Sequence, residues 1–155
     1  MIQRPQTLFY LAIVAICLML IFSNTVFYST ESTEGDKVSV EYDETELVSK
    51  DQASKETNTW LVSFLIGITI LASVALVMYK NRKLQNLLSA FNYLFILGLV
   101  VMMYMYSINI EYFNSGTSGF TFSALMPIAL LFFNFLAMRG VKKDELLIRS
   151  MDRLR

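Results

Sequence analysis

The sequence predicts an all-α integral membrane protein: a four-transmembrane-helix bundle with a short cytoplasmic amphipathic C-terminal helix, built as one membrane domain. Three observations predict it. Apolar residues make up 55 % of the 155-residue chain and are gathered into four long runs. None of those runs contains Asp, Glu, Lys or Arg. The basic residues fall on one side of the layout the runs define. A small soluble domain can be this apolar, but it does not segregate its apolar residues into four stretches of about twenty, the length that crosses a ~30 Å hydrocarbon core as a helix.

Span one runs from Thr7 to Val26, span two from Thr59 to Tyr79, span three from Leu87 to Ile108 and span four from Phe120 to Met138. In hydrocarbon every backbone polar group must be bonded within the protein, so an isolated apolar run is expected to be helical. Span one is expected to be an uncleaved anchor. It has one early charge, Arg4, and the residues after Phe22, namely Ser23, Asn24 and Thr25, make a poor cleavage site. Cys17, the single cysteine, lies inside this span. Ile16 before it is too large for a lipoprotein signal, so a buried or lipid-facing thiol is expected.

Net charge is zero, yet the charges are polarised. Ten of the 13 basic residues lie at the N-terminus, in the loop Lys80 to Asn86, or in the tail from Arg139 onward. The other side carries only Lys37, Lys50 and Lys55. The positive-inside rule therefore places both termini and the Lys80 loop in the cytoplasm. Tyr28, Trp60, Tyr106 and Tyr112 fall near the outer boundary and Tyr10 and Tyr79 near the inner one, the level amphipathic rings favour.

The outer segment from Tyr28 to Asn58 is acidic and rich in Ser and Thr. Val38, Val40 and Tyr42 alternate with polar residues, and Asp43–Glu44 could turn the chain into Thr45 to Val48, which reads as a short hairpin. The segment is either a solvated linker, the favoured reading, or a surface for a partner or cation. Its carboxylates do not follow a calcium-loop spacing. The short Lys80 loop makes spans two and three an antiparallel pair. Asn114-Ser115-Gly116 and Ser118-Gly119 read as ordinary turns.

From Val141 on, the tail reads as an amphipathic helix separated from span four at Gly140, where poor helix propensity is expected to stop or bend the span. Leu147, Met151 and Leu154 fall on one stripe, flanked by Arg149 and Arg153, with Asp152 beside them. Such a helix needs a surface, either the anionic inner leaflet or a protein partner.

The opening Met1 to Thr7 and the closing stretch Lys143 to Arg155 (KDELLIRSMDRLR) carry a resemblance. They resemble the ends of a family of small four-span inner-membrane proteins of Bacteroidota, catalogued as domain of unknown function 4293. The resemblance implies a bacterial inner membrane with the acidic loop in the periplasm. It supplies no activity, and it draws attention to Arg4, Arg149, Asp152 and Arg153, the polar positions within the matching ends.

Much chemistry is missing from the sequence. There is no histidine, so a histidine-ligated haem is excluded and a transition-metal site is not expected. No ionisable proton-relay residue (Asp, Glu, His, Lys or Arg) lies within a span, and no phosphate loop or nucleophile elbow is visible. No catalytic residue, cofactor, metal or nucleic-acid partner is expected. The polar residues within the spans are few. Asn92 and Asn134 lie at similar depth in the inner half. They read either as interhelical hydrogen-bonding glue, the favoured reading, or, with Tyr93, as a polar binding site. Gly67, Gly98 and Pro127 read as close helix contacts and a kink, or more sharply as a midplane cavity. Together these features predict a non-enzymatic accessory or scaffold subunit that meets the bilayer and a membrane-protein partner through its tail or periplasmic loop. The alternative is a small-molecule or lipid binder or transporter using the bundle interior.

Overall fold

The computed structural model describes residues 5–32, 36–49, 53–109 and 116–152. Helix α1 (Pro5–Phe22) leads into four strands, β1 (Val26–Ser32), β2 (Lys37–Glu41), β3 (Glu44–Val48) and β4 (Ala53–Thr57). Helices α2 (Thr59–Val77) and α3 (Arg82–Asn109) follow, then β5 (Gly116–Phe120), a 3-10 turn over Phe122–Leu125, and α4 (Met126–Asp152).

The all-α expectation is therefore wrong. The strands form one antiparallel five-stranded sheet in the order β4-β3-β2-β1-β5. The expected hairpin is there as β2–β3, with Val40 opposite Thr45. It is the middle of a larger sheet, and the favoured linker reading fails with it. Val26 and Phe120, assigned to the ends of spans one and four, belong to β1 and β5. The Ser118-Gly119 turn is instead part of β5, with Gly119 opposite Ser29 and Ser118 opposite Thr30. Asn114 and Ser115 lie outside the described residues.

Three helical stretches, Thr59–Val77, Arg82–Asn109 and Phe122–Leu147, are long and apolar enough to cross a membrane; α1 is apolar but shorter. Each helix packs against two others, in the cycle α1–α2–α3–α4–α1. The buried positions explain the packing. They run Gln6, Tyr10, Ile13, Cys17, Leu20 in α1, and Leu61, Leu65, Ile68, Ala72, Ala75 in α2. Steps of three and four average 3.5, the period that keeps one stripe of a helix facing its neighbours. The opposite faces carry exposed Leu8, Leu11, Ile66, Ile70, Leu94, Leu97, Phe132 and Phe135. Buried and exposed faces are alike apolar, so what distinguishes the inward faces is the buried polar side chains Gln6, Gln85, Ser89, Asn92, Ser107 and Asn134.

The two separated glycines are used for close approach between α2 and α3. A Cβ on Gly67 would lie 2.5 Å from the Phe95 ring, and one on Gly98 would lie 2.5 Å from the Phe64 ring. The same two rings meet edge to face at 5.8 Å. Pro127 is not a mid-helix kink. It is the second residue of α4, where a missing N–H costs nothing because first-turn donors have no intrahelical partner. Gly140 does not end the helix either. Helix α4 runs on through it to Asp152, so the separate C-terminal helix expected from the sequence is the end of α4. The glycine serves contact with α1, since a Cβ there would lie 3.2 Å from that of Gln6.

The sheet is fastened to the helices by backbone and side-chain bonds at their shared end. Thr121 N donates to Phe27 O at 3.0 Å, and the hydroxyls of Thr121 and Ser123 both donate to Val26 O. Asn58, just before α2, does not cap that helix with its side chain. Its Nδ2 donates to Glu41 O (2.8 Å), its Oδ1 accepts from Thr45 Oγ1 (2.9 Å), and its N–H donates to Asp43 O (2.8 Å). On one sheet face Tyr28 pairs with Val40 and Thr30 with Val38, all four buried.

Candidate functional site

At the helix ends remote from the sheet, the buried stripes turn polar. Gln6 and Tyr10 of α1, Gln85, Ser89 and Asn92 of α3, and Asn134 of α4 are each at most 1 % exposed. Gln85, Ser89 and Asn92 are spaced i, i+4, i+7, and Gln6 and Tyr10 i, i+4, so each set lies on one helix face. The other buried side chains at this end are Ala72 and Ala75 of α2 and Ala137 and Val141 of α4. The next buried positions toward the sheet are Ile13, Ile68, Ile96 and Leu130.

A network ties all four helices together. Ser89 Oγ donates to Gln85 O at 3.0 Å, which leaves Tyr10 O–H as the donor in its bond to Ser89 Oγ. Asn134 Nδ2 donates to Ser89 O at 2.9 Å, and Gln85 Nε2 donates to Ala75 O at 3.0 Å. The network is incomplete. Gln6 Nε2, Gln85 Oε1, Asn134 Oδ1 and both side-chain atoms of Asn92 are buried without a hydrogen-bond partner.

The structure buries Asn92 and Asn134, and Asn134 bonds to the α3 backbone rather than to the Asn92 side chain. Tyr93, the next residue on α3, is only partly buried. The other members of the cluster were missed by sequence reasoning. The signal existed, but spans begun at Thr7 and Leu87 leave Gln6 and Gln85 just outside, Tyr10 reads as a boundary aromatic, and a single serine such as Ser89 near the start of a span carries no signal of its own. The tail residues are not part of this site. Leu147 is exposed on α4, Arg149, Met151 and Asp152 lie in its last turns, and Arg153 and Leu154 lie outside the described residues. Beside α4, an open groove of about 470 Å³ is lined by Lys80, Asn81, Arg82, Lys83 and Glu145. Among the described residues no His, Cys, Asp or Glu cluster could hold a metal ion.

The sheet contains a second unsatisfied group. Glu41 is 6 % exposed and its Oε2 has no hydrogen-bond partner. Burial, reinforced by Asp43 and Glu44, holds its carboxyl above the usual range. Folding therefore favours the protonated form. Between the ordinary carboxyl pKa and the raised one the folded chain binds more protons than the unfolded chain, so stability falls as pH rises through that window. Glu41→Gln should flatten this slope and raise stability at neutral pH by ~1 kcal/mol, the scale of one unsatisfied buried group. Urea unfolding followed by the fluorescence of Trp60 at several pH values measures it; an unchanged slope would show that Glu41 is not the source.

A helical layer with three membrane-length apolar stretches, enclosing a polar cluster and joined at one end to an antiparallel sheet, defines a class of protein but no reaction. The chain belongs to the family described as Domain of unknown function (DUF4293), which matches residues 2–154. No curated protein matches it.

Proposed function

We propose that this chain is a multi-pass protein of the bacterial inner membrane, in a Bacteroidota-type cell, with both ends in the cytoplasm and the sheet in the periplasm. Its role in this reading is that of a non-enzymatic accessory or scaffold subunit. The observation that carries it is the distribution of side chains on the helices: the outer faces expose many Leu, Ile and Phe side chains, while the amides Gln6, Gln85, Asn92 and Asn134 are buried inside. In water an apolar surface of this extent would be a liability, whereas in lipid it is the required one. All four helices cross in this arrangement. At ~1.5 Å per residue α1 nearly spans the hydrocarbon, and β1 continues the chain into the sheet. Lys80, Arg82, Lys83, Lys142 and Lys143 gather at the end remote from the sheet, as the positive-inside rule requires.

The scaffold role is supported by what the sheet offers. Edge strand β4 is exposed along its length, and an open edge can accept a strand from a partner. Cysteines placed singly at Ser54 and Lys143 in a Cys17→Ser background test the topology. An impermeant thiol reagent added outside should label the first and spare the second; equal labelling overturns the orientation. Photo-crosslinkers at Ser54 and at Leu147 should then each give a discrete stoichiometric adduct in native membranes. Finding only unreacted chain at both positions would count against a scaffold. The unpartnered amides between the helices favour a second reading, a binder of small molecules in the bundle interior.

A further inference from the structure

Three cations gather on the loop that joins α2 to α3. Lys80, Arg82 and Lys83 line the open groove of about 470 Å³ beside α4, together with Asn81 and with Glu145 of α4. Lys80 and Lys83 are exposed and Arg82 is half-buried. The ion pairs between described residues, Lys37–Glu31, Lys55–Glu44 and Lys55–Glu46, all lie in the sheet. The three groove cations therefore repel one another, with Glu145 the one carboxylate among the lining side chains. The loop that presents them is fixed. Asn81 N donates to Met78 O (3.0 Å), Asn81 Oδ1 accepts from Leu84 N (3.2 Å) and Asn81 O accepts from Gln85 N (3.0 Å). Asn81 thus caps α3, whose positive dipole end adds to the charge. The apolar surface runs up to this loop on both helices: Val77 and Met78 are exposed just before it and Leu87 just after it.

We propose that this groove is a binding site for the phosphate headgroup of one anionic phospholipid of the inner leaflet, of the phosphatidylglycerol type; the proposal rests on the reading of the helices as membrane-crossing. The groove falls within the ~300–1,000 Å³ of small-ligand clefts. Three cations against Glu145 leave it a net charge of +2, an excess over the single negative charge of a phosphodiester. The Arg82 guanidinium can meet two phosphate oxygens at once, and the lysines act as point charges. A zwitterionic headgroup brings an ammonium that the same cations repel. The acyl chains then lie along the exposed apolar residues that border the loop, which favours a lipid phosphate over a free one.

Native mass spectrometry of the full-length chain in detergent, titrated with phosphatidylglycerol and with phosphatidylcholine of the same chains, tests the site. One phosphatidylglycerol should bind ahead of all others and in preference to phosphatidylcholine. Lys80→Gln with Lys83→Gln should weaken that first event about thirtyfold, the effect of two cations at a membrane surface. Arg139→Gln with Lys143→Gln removes the same charge from a face of α4 turned away from Glu145. Screening should keep its effect below about threefold. Glu145→Gln should tighten binding about fivefold, the effect of one charge, a gain that a merely structural role for the loop does not predict. Equal losses in the two double variants, weaker binding in Glu145→Gln, or graded uptake of many lipids with no first event would each overturn the site. Inorganic phosphate and glycerol 3-phosphate give the other arm: binding of either as tight as that of the lipid would make a soluble phosphate the occupant and overturn the lipid. Binding in detergent does not depend on which side of a membrane the loop faces. Loss of the site therefore leaves the topology standing, and reversed labelling of Ser54→Cys and Lys143→Cys overturns the topology alone.

Discussion

Gly98→Val should cost ~3 kcal/mol and loosen α2 from α3, at the upper end of what overpacking a filled interior costs. The argument is steric. The first carbon of any side chain at Gly98 lies 2.5 Å from the Phe64 ring, well inside contact distance. A flexible neighbour could swing away, but Phe64 is held edge to face by Phe95, and Phe95 in turn covers Gly67. Moving one ring pushes the other onto the second glycine. The pair Gly67→Ala and Gly98→Ala should therefore cost more together than the sum of the two alone, the signature of residues that share space. Phe64→Leu should recover part of the loss in Gly98→Val by vacating the ring edge. Denaturant titration in a fixed detergent measures all of these. Full stability in Gly98→Val would mean that the two helices do not meet at this point.

Tyr42→Ala should detach the sheet from the helices, at a cost of ~3–5 kcal/mol, the range for emptying a buried aromatic site. Tyr42 is fully buried, its ring lies 5.0 Å from that of Phe27, and its hydroxyl donates to Ser123 O at 2.8 Å. It thus links the β2–β3 turn to β1 and to the turn that starts α4. Tyr42→Phe keeps the ring and removes only the hydrogen bond, so it should cost ~1 kcal/mol. The readout is local: protease should cut within β1 to β4 in Tyr42→Ala while the helices remain folded. Loss of the helical signal together with the sheet would show that the two layers unfold as one unit.

How much was legible beforehand differs from element to element. The interiors of α2 and α3 were legible because crossing length and lack of charge are local properties of a run. Their antiparallel pairing followed from the short Lys80 loop, and Gly67 and Gly98 were rightly suspected of close contact. The β2–β3 hairpin was visible in the alternation of Val38, Val40 and Tyr42. Strand β5 was not visible: Gly-Thr-Ser-Gly-Phe has neither alternation nor β-branched density. It is a strand because β1 offers it an open edge. The end of α4 was misread for a related reason. Helix propensity counts Gly140 as a stop, but the close seat of Gln6 makes the missing side chain useful there.

By itself, then, the sequence determined that this chain folds around long uncharged apolar helices with its basic residues at one end, and its two ends pointed to the family. These are properties of composition along a line, and hydrocarbon length and charge act on them directly. Only the tertiary structure decided that five short strands form one sheet, and that Gln6, Tyr10, Gln85, Ser89, Asn92 and Asn134 meet in one buried cluster. A strand's partner and a polar side chain's neighbours are supplied by distant parts of the chain. Backbone hydrogen bonds and heptad register bring them together, and neither can be read one segment at a time.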